Sequence, residues 1–316
     1  MDYKNEQQLV TRFRELFAAS EGVVSTWGGE DAALIRPVPG ETVACLDSLV
    51  EDVHFRLEWY TAFDLGYKSV AVNYSDLASC GASPLYIMIG LSAPAVFLNT
   101  HLEGFYSGLR GALHKWGGAF AGGDYTRSER VVVTVSAVGV LPEGGRFWSR
   151  GGCVPGEMLY LTGIPGSADS DLKRLEQGLP AAGTTLLRPE PALDAAGWLR
   201  RNDIAVGGCC DTSDSLSASL HLLGGMSGVR VVVDTDCLYS IRGAGQPQGV
   251  LHGGEDFELL FSGPETIDGG AFYEETGRVL TPIGCIESGS GIVDSAGRSL
   301  DNRGYDHLKR KIAPEG

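Results

Sequence analysis

Apolar residues recur at two different periods along this chain, and the switches between them lay out its elements. Leu9, Val10, Phe13, Leu16 and Phe17 share one face at helical spacing, so residues 5–19 are expected to form an amphipathic helix. Apolar runs at 42–46, 86–93 and 131–141 read as strands. Between them, 64–80 reads as a long helix ended by Gly81 and Pro84, and 100–116 as another. The turn-rich stretch Arg150-Gly151-Gly152 closes this first half.

A second block repeats the alternation. A strand at 157–162 runs into the turn Gly163-Ile164-Pro165-Gly166, helices follow over 168–176 and 191–200, and a short strand leads into Asp211. Leu216, Leu220 and Leu223 place a helix after Ser213-Asp214-Ser215, and 229–233, 257–261 and 279–286 read as further strands. The order predicts an α/β protein with mixed sheets in two domains, residues 1–150 and 151–316.

Composition narrows the class. With 316 residues, 43% of them hydrophobic, the chain can bury two cores of ordinary size, which excludes disordered and fibrous readings. A net charge of −15 argues against a nucleic-acid partner, because such a surface needs clustered Lys and Arg. No run approaches the roughly 18 apolar residues of a membrane span. Seven cysteines without a CxxC pair or zinc-like spacing, and a polar start over residues 1–8, lead to the expectation of a reduced, cytoplasmic protein.

The acidity matters most where it is concentrated. Asp31 lies in Gly29-Glu30-Asp31-Ala32-Ala33, Asp47 in Leu46-Asp47-Ser48, Asp76 in Ser75-Asp76-Leu77, Asp124 in Gly122-Gly123-Asp124, and Asp211 and Asp214 in Asp211-Thr212-Ser213-Asp214. A single Gly-Asp or Ser-Asp pair is ordinarily a turn or a helix cap. Here their number, and their placement after apolar runs where strands should end, point to a ligand site. Magnesium is held by a few carboxylates together with substrate phosphates. The chain has no P-loop, GxGxxG, HExxH or GxSxG motif, so a nucleotide site built from carboxylates and metal is the expectation. Gly253-Gly254-Glu255-Asp256-Phe257-Glu258 reads by itself as a hairpin with a solvated acidic end, and His54 by itself as a structural histidine.

Taken in order, these segments resemble the thiamine-monophosphate kinases, members of the superfamily that includes aminoimidazole ribonucleotide synthetase. The likeness runs through Gly29-Glu30-Asp31-Ala32-Ala33, Asp47-Ser48-Leu49-Val50 with His54-Phe55, residues 68–78 with Gly81-Ala82-Ser83-Pro84, Gly122-Gly123-Asp124, Asp211-Thr212-Ser213-Asp214, residues 253–260 and Gly304-Tyr305-Asp306-His307. It implies ATP-dependent phosphorylation of thiamine monophosphate, magnesium ions as cofactors, and a homodimer whose first domains form a shared β-barrel. By the same resemblance Asp31, Asp47, Asp76, Asp124, Asp211 and Asp214 would hold magnesium. Tyr106, Gly123, Asp124, Arg150 and Ser213 would contact ATP, and His54, Glu255 and Tyr305 would bound the thiamine phosphate.

Several positions depart from that family's pattern. Cys45-Leu46 stands where two hydroxyl residues are usual, Tyr125 where Thr is, Ser128 and Ser215 where Gly is, and Ala192 where Arg is. All six carboxylates persist, so the departures read as tuning of an active kinase. The alternatives are a same-fold enzyme with another phosphate acceptor, and a nucleotide-binding homologue without turnover.

Overall fold

The computed structural model describes residues 11, 17, 23–26, 31–305 and 308. The helix expected at 5–19 lies outside the described residues except for Thr11 and Phe17, as do Gly28 to Glu30, Asp306 and His307. Two compact units divide the chain: Met1–Trp148 with Leu187–Asp203, and Ser149–Leu186 with Ile204–Gly316.

In the first unit a short pair, β1 (Val24–Thr26) and β2 (Leu34–Ile35), accompanies a four-stranded sheet in the order β3-β6-β4-β5. Its strands are β3 (Thr42–Val50), β4 (Ser83–Ala93), β5 (Ala119–Arg127) and β6 (Val132–Val140). β3 and β4 each pair antiparallel with β6, whereas β5 runs parallel to β4. A parallel neighbour needs a crossover, and helices α2 (Ala95–Thr100) and α3 (Leu102–Trp116) supply it. The helix expected at 100–116 is α3, and the short α2 precedes it, parted from it at His101.

Helix α1 (Ala62–Ser79) starts at a capping box: Asp64 N–H donates to Thr61 Oγ1 at 3.1 Å, and Thr61 N–H donates to Asp64 Oδ2 at 3.0 Å. It covers one face of the sheet, where Ile87, Ile89, Leu91, Val133, Val135 and Ala137 are buried. On the other face Leu46 is 62% and Met88 42% exposed beside Ser48, Thr134 and Ser136, whereas Ala119 and Ala121 of β5 are buried against Val24 of β1.

The second unit holds a six-stranded mixed sheet, order β12-β9-β11-β7-β10-β8. These are β7 (Met158–Thr162), β8 (Cys209–Asp211), β9 (Arg230–Val233), β10 (Leu259–Gly263), β11 (Leu280–Glu287) and β12 (Gly291–Asp294), all antiparallel except β12 on β9. Leu159, Leu161, Leu220, Leu223, Val231, Leu260 and Ile283 form its core with helices α6 (Leu216–Ser227), α7 (Thr235–Ser240) and α8 (Pro247–His252), while α4 (Ser167–Glu176) lies against α8. The mixed α/β reading of both halves is the architecture observed.

Helix α5 (Leu193–Arg201) packs with the first unit although it follows part of the second. Arg188 pairs with Asp64, Lys115 Nζ meets Glu190 at 2.6 Å, and Arg200 Nε donates to the Gly81 carbonyl at 2.7 Å. The chain therefore passes between the units three times, after Trp148, Leu186 and Asp203. Among the described residues no helix is long and apolar enough to cross a membrane, and no disulfide joins any of the seven cysteines.

Candidate functional site

In the first unit a buried amide holds the backbone of Asp47. Asn73, on α1, donates from Nδ2 to the Ser69 carbonyl at 3.0 Å and accepts the Asp47 N–H on Oδ1 at 3.1 Å. Cys45 Sγ lies 3.3 Å from the Asn73 carbonyl oxygen. Burial pushes the Cys45 thiol well above its ordinary range, and the carboxylates of Asp76 and Asp47 push it further, so both act on this one locality. Two half-buried carboxylates, one from a strand and one from a helix, are a donor set that suits a hard cation. Among the described residues no three His, Cys, Asp or Glu side chains converge, so phosphate oxygens or water would have to complete such a site.

Asp124 reaches solvent through an irregularity in β5. Ile87 pairs with Phe120 but Ile89 pairs with Gly123, so β5 spends one residue more than β4 over the same interval. Gly122 absorbs the bulge at φ 108°, a backbone conformation that favours glycine. A Cβ on Gly123 would overlap the Ile89 carbonyl oxygen. Because alternation has period two, the extra residue moves Asp124 off the α1 face. It lies in register with Gly90, Thr134 and Ser48 on the other one.

The expectation that these aspartates sit at strand ends is corrected here. Asp47 is inside β3, which runs on to Val50 because Leu49 continues the buried alternation; Asp76 is on α1; Asp124 is inside β5. Asp211 alone of the set ends a strand, and Asp31 is exposed in a bend. His54 Nδ1 accepts the Val50 N–H at 3.0 Å, which closes the turn after β3. Tyr106 is buried on α3, its ring centroid 5.5 Å from that of Phe105 and 6.0 Å from that of Phe120; burial raises its hydroxyl pKa, with a smaller push from Tyr125.

In the second unit three distant segments meet. Asp211 is 4% exposed and accepts Ser213 Oγ at 3.3 Å. Glu255 N–H donates to the Ser213 carbonyl at 2.7 Å, and Tyr305 N–H to the Asp214 carbonyl at 3.4 Å. Thus the sequence motifs at 211–214, 253–258 and 304–305 share one locality. Arg150 is exposed, and its charge draws the Cys210 thiol downward against the dominant upward effect of burial.

Asp256 is the acid that sequence reasoning passed over. It is 5% exposed; Oδ2 accepts the Gly166 N–H at 2.6 Å and Oδ1 the Ala168 N–H at 3.0 Å, at the start of α4. Burial pushes its carboxyl up to about 7 while those N–H donors pull it down. Its neighbours Glu255 and Phe257 both hold positive φ, 68° and 53°, so the loop is bent into a conformation that side chains other than glycine rarely adopt. A carboxylate next to Glu255 and two residues before Glu258 looks solvated in sequence, and its burial depends on the Gly166 turn, some ninety residues earlier. Asn73 was equally silent, although one amide in a mostly apolar helix is a signal for a buried hydrogen-bonding role.

Two departures from the family pattern have local roles. Ser215 Oγ caps α6 by accepting the Ala218 N–H at 3.0 Å. Ala192 is fully buried ahead of α5, where an arginine would have to displace packed side chains.

Residues 29–141 match the family described as AIR synthase related protein, N-terminal domain. The thiamine-monophosphate kinase of Salmonella typhimurium is 33% identical over 326 aligned positions, covering 96% of this chain and 98% of that protein. The crystal structure of thiamine-monophosphate kinase from Stenotrophomonas maltophilia K279a superposes with a TM-score of 0.81 at 29% identity, covering 95% of this chain and 99% of that one. A structure described as AaThiL complexed with AMPPCP and TMP superposes at 0.74 with 25% identity over 98% and 99% of the two chains. With one third of its residues shared across nearly its whole length, the chain belongs to the thiamine-monophosphate kinase family.

Proposed function

We propose that this protein transfers the γ-phosphoryl group of ATP to thiamine monophosphate, forming thiamine diphosphate and ADP. The observation that carries the reading is the meeting of Asp211, Ser213, Asp214, Glu255 and Tyr305 in one unit, in a chain whose relatives bear that activity in their names. An oxygen of the acceptor phosphate attacks the γ-phosphorus, and the bond to the bridging oxygen of ADP breaks. That acceptor is largely ionised at neutral pH, its second pKa being about 6, so the chain needs no strong general base. Asp256 is no rival for that role, since both its oxygens are engaged by backbone N–H groups.

What the protein supplies is position and charge. Asp47 and Asp76, with Asp31, Asp124, Asp211 and Asp214, are the carboxylates we assign to magnesium. When bound, magnesium would neutralise the facing phosphates and hold them in line. Gly123, Asp124, Arg150 and Ser213 are assigned to ATP, with Tyr106 as a buried wall behind Tyr125. Glu255, Tyr305 and His54 are assigned to the acceptor; the thiazolium is a cation, for which a carboxylate and an aromatic face are fitting neighbours.

The four-stranded sheet of the first unit supports a dimer. Its outer face presents Leu46 and Met88, and β3 and β5 end the sheet among the described residues, features that a lone soluble unit would have to protect. In our reading the four strands close with those of a second copy into a shared barrel. Residues 1–150 then serve ATP, magnesium and dimerisation, and 151–316 form the mixed α/β partner domain, in a cytoplasmic enzyme. Each edge strand carries a candidate carboxylate, Asp47 on β3 and Asp124 on β5. Interface and metal site would thus share a neighbourhood.

ADP release with ATP and magnesium, with and without thiamine monophosphate, tests the reaction, with thiamine diphosphate followed by chromatography. Product in step with ADP is expected; ATP binding without product would move the assignment to another acceptor or to a protein without turnover. Light scattering tests the assembly, and Leu46→Asp should shift it to a monomer.

A further inference from the structure

At one end of the six-stranded sheet a carboxylate outside the residues assigned above links the ends of several strands. Glu258 stands immediately before β10, and its Oε2 accepts Thr162 Oγ1 at 2.6 Å, where β7 ends. Its Oε1 accepts Arg278 Nη1 at 2.8 Å, two residues ahead of β11. The side chains of this ion pair are only 12% and 13% exposed. Thr162 Oγ1 in turn accepts the Leu259 N–H at 2.9 Å, so one hydroxyl grips two successive residues. Gly163 leaves the room, since a Cβ there would overlap the Glu258 carboxylate.

The backbone of Glu258 faces the other way, toward β8. That strand ends at Asp211, opposite Leu259, yet the ladder is carried one step further with the help of a side chain. Glu258 N–H donates to Thr212 Oγ1 at 3.1 Å, and Thr212 N–H donates to the Glu258 carbonyl at 2.9 Å. The turn Asp211-Thr212-Ser213-Asp214, which carries two of the carboxylates assigned to magnesium, therefore hangs from Glu258 at Thr212. Its second attachment to the same loop is the Glu255 N–H on the Ser213 carbonyl.

A buried ion pair adds little net stability over well-packed apolar side chains of the same volume. What this one adds is direction, because a guanidinium and a hydroxyl from different strands each fix one oxygen of the carboxylate. Groups that stand behind metal ligands set the orientation of those ligands, and their loss weakens metal binding by roughly 10–100-fold. We infer that Glu258 is a positioning residue: held by Arg278 and Thr162, it sets the 211–214 turn so that Asp211 and Asp214 can share a divalent cation; this rests on the magnesium assignment above.

Two measurements on the full-length protein test it, with Ser262→Ala as the control for stability. Ser262 lies toward the far end of β10, where its Oγ accepts the Gly208 N–H at 2.9 Å and donates to Glu157 Oε2 at 2.7 Å, so its loss removes a buried polar link of the same strand away from the turn. Hydrogen exchange read by mass spectrometry should show residues 212–216 exchanging about tenfold faster in Glu258→Ala, with part of the protection restored in Glu258→Gln. Mn2+ binding in the presence of AMPPCP, followed by electron paramagnetic resonance of the free ion, should weaken about tenfold in Glu258→Ala and less in Glu258→Gln. Both changes together uphold the inference even if no thiamine diphosphate forms, a failure belonging to the kinase reading alone. If either readout is unchanged, or changes no more than in Ser262→Ala, Glu258 serves the fold only and the inference is overturned. Where Glu258→Ala fails to fold, Glu258→Gln and Arg278→Gln carry both readouts by the same criteria.

Discussion

The carboxylate of Asp256 accepts the Gly166 N–H at 2.6 Å and so ties the glycine turn ahead of α4 to the loop that carries Glu255. Its second oxygen takes the Ala168 N–H, so Asp256→Ala would leave two donors without their acceptor. The expected loss of stability is about 1–3 kcal/mol, measured by urea unfolding. The loss should come with a raised KM for the acceptor and little change in that for ATP.

The same carboxyl predicts a pH dependence. Its folded value, about 7, lies above the ordinary 3.8, so the folded protein keeps a proton that the unfolded chain has released. The stabilisation is full below about pH 4 and is lost as pH rises through about 7. Unfolding free energies of wild type minus Asp256→Asn should therefore fall between about pH 5 and pH 7.5 and flatten above. A difference independent of pH would rule out the raised value.

Asp124 and Gly123 are adjacent and should fail differently. Asp124 is exposed, so Asp124→Asn should leave stability within about 0.5 kcal/mol. Magnesium-dependent turnover should drop by about 100-fold or more if the carboxylate holds the metal. Gly123→Ala puts a methyl into the Ile89 carbonyl, and stability and turnover should fall together, the former by about 1–3 kcal/mol or more. Thermal unfolding beside ADP release separates the two patterns.

Asn73→Ala removes the acceptor of the Asp47 N–H and the donor to Ser69. A cost of about 1–3 kcal/mol is expected from the groups left behind. With Asp47 less firmly set, half-maximal rate should need more magnesium, which a titration of rate against magnesium at saturating ATP would read.

Tyr305 is 49% exposed, and its backbone N–H donates to the Asp214 carbonyl. Tyr305→Ala should raise the KM for thiamine monophosphate and spare that for ATP. Equal effects on both would remove Tyr305 from the acceptor site.

Much of this was legible in the chain. The apolar patterns at 64–80, 86–93 and 131–141 correspond to α1, β4 and β6: the two strands each bury one continuous face, and α1 is buried on nearly every side. The motifs at Asp211, Glu255 and Tyr305 were visible as motifs, and the structure brings them together. What stayed hidden depends on pairing between distant segments. Nothing local says that Gly122 begins a bulge, since the bulge exists only against Ile87 and Ile89 of β4. Asp256 looks solvated until Gly166 and Ala168 are folded over it, and Glu258 until Thr162 and Arg278 reach its carboxylate.

The return of Leu187–Asp203 to the first unit bears on how such a protein can be rearranged by evolution or by engineering. A single recombination point after Trp148 would separate Asp64 from Arg188 and the Gly81 carbonyl from Arg200. Neither fragment would then carry a complete set of its own contacts. The two halves are inherited as an interlaced pair, and a chimaera that exchanges one for a relative's must carry the 187–203 strap with the amino-terminal portion.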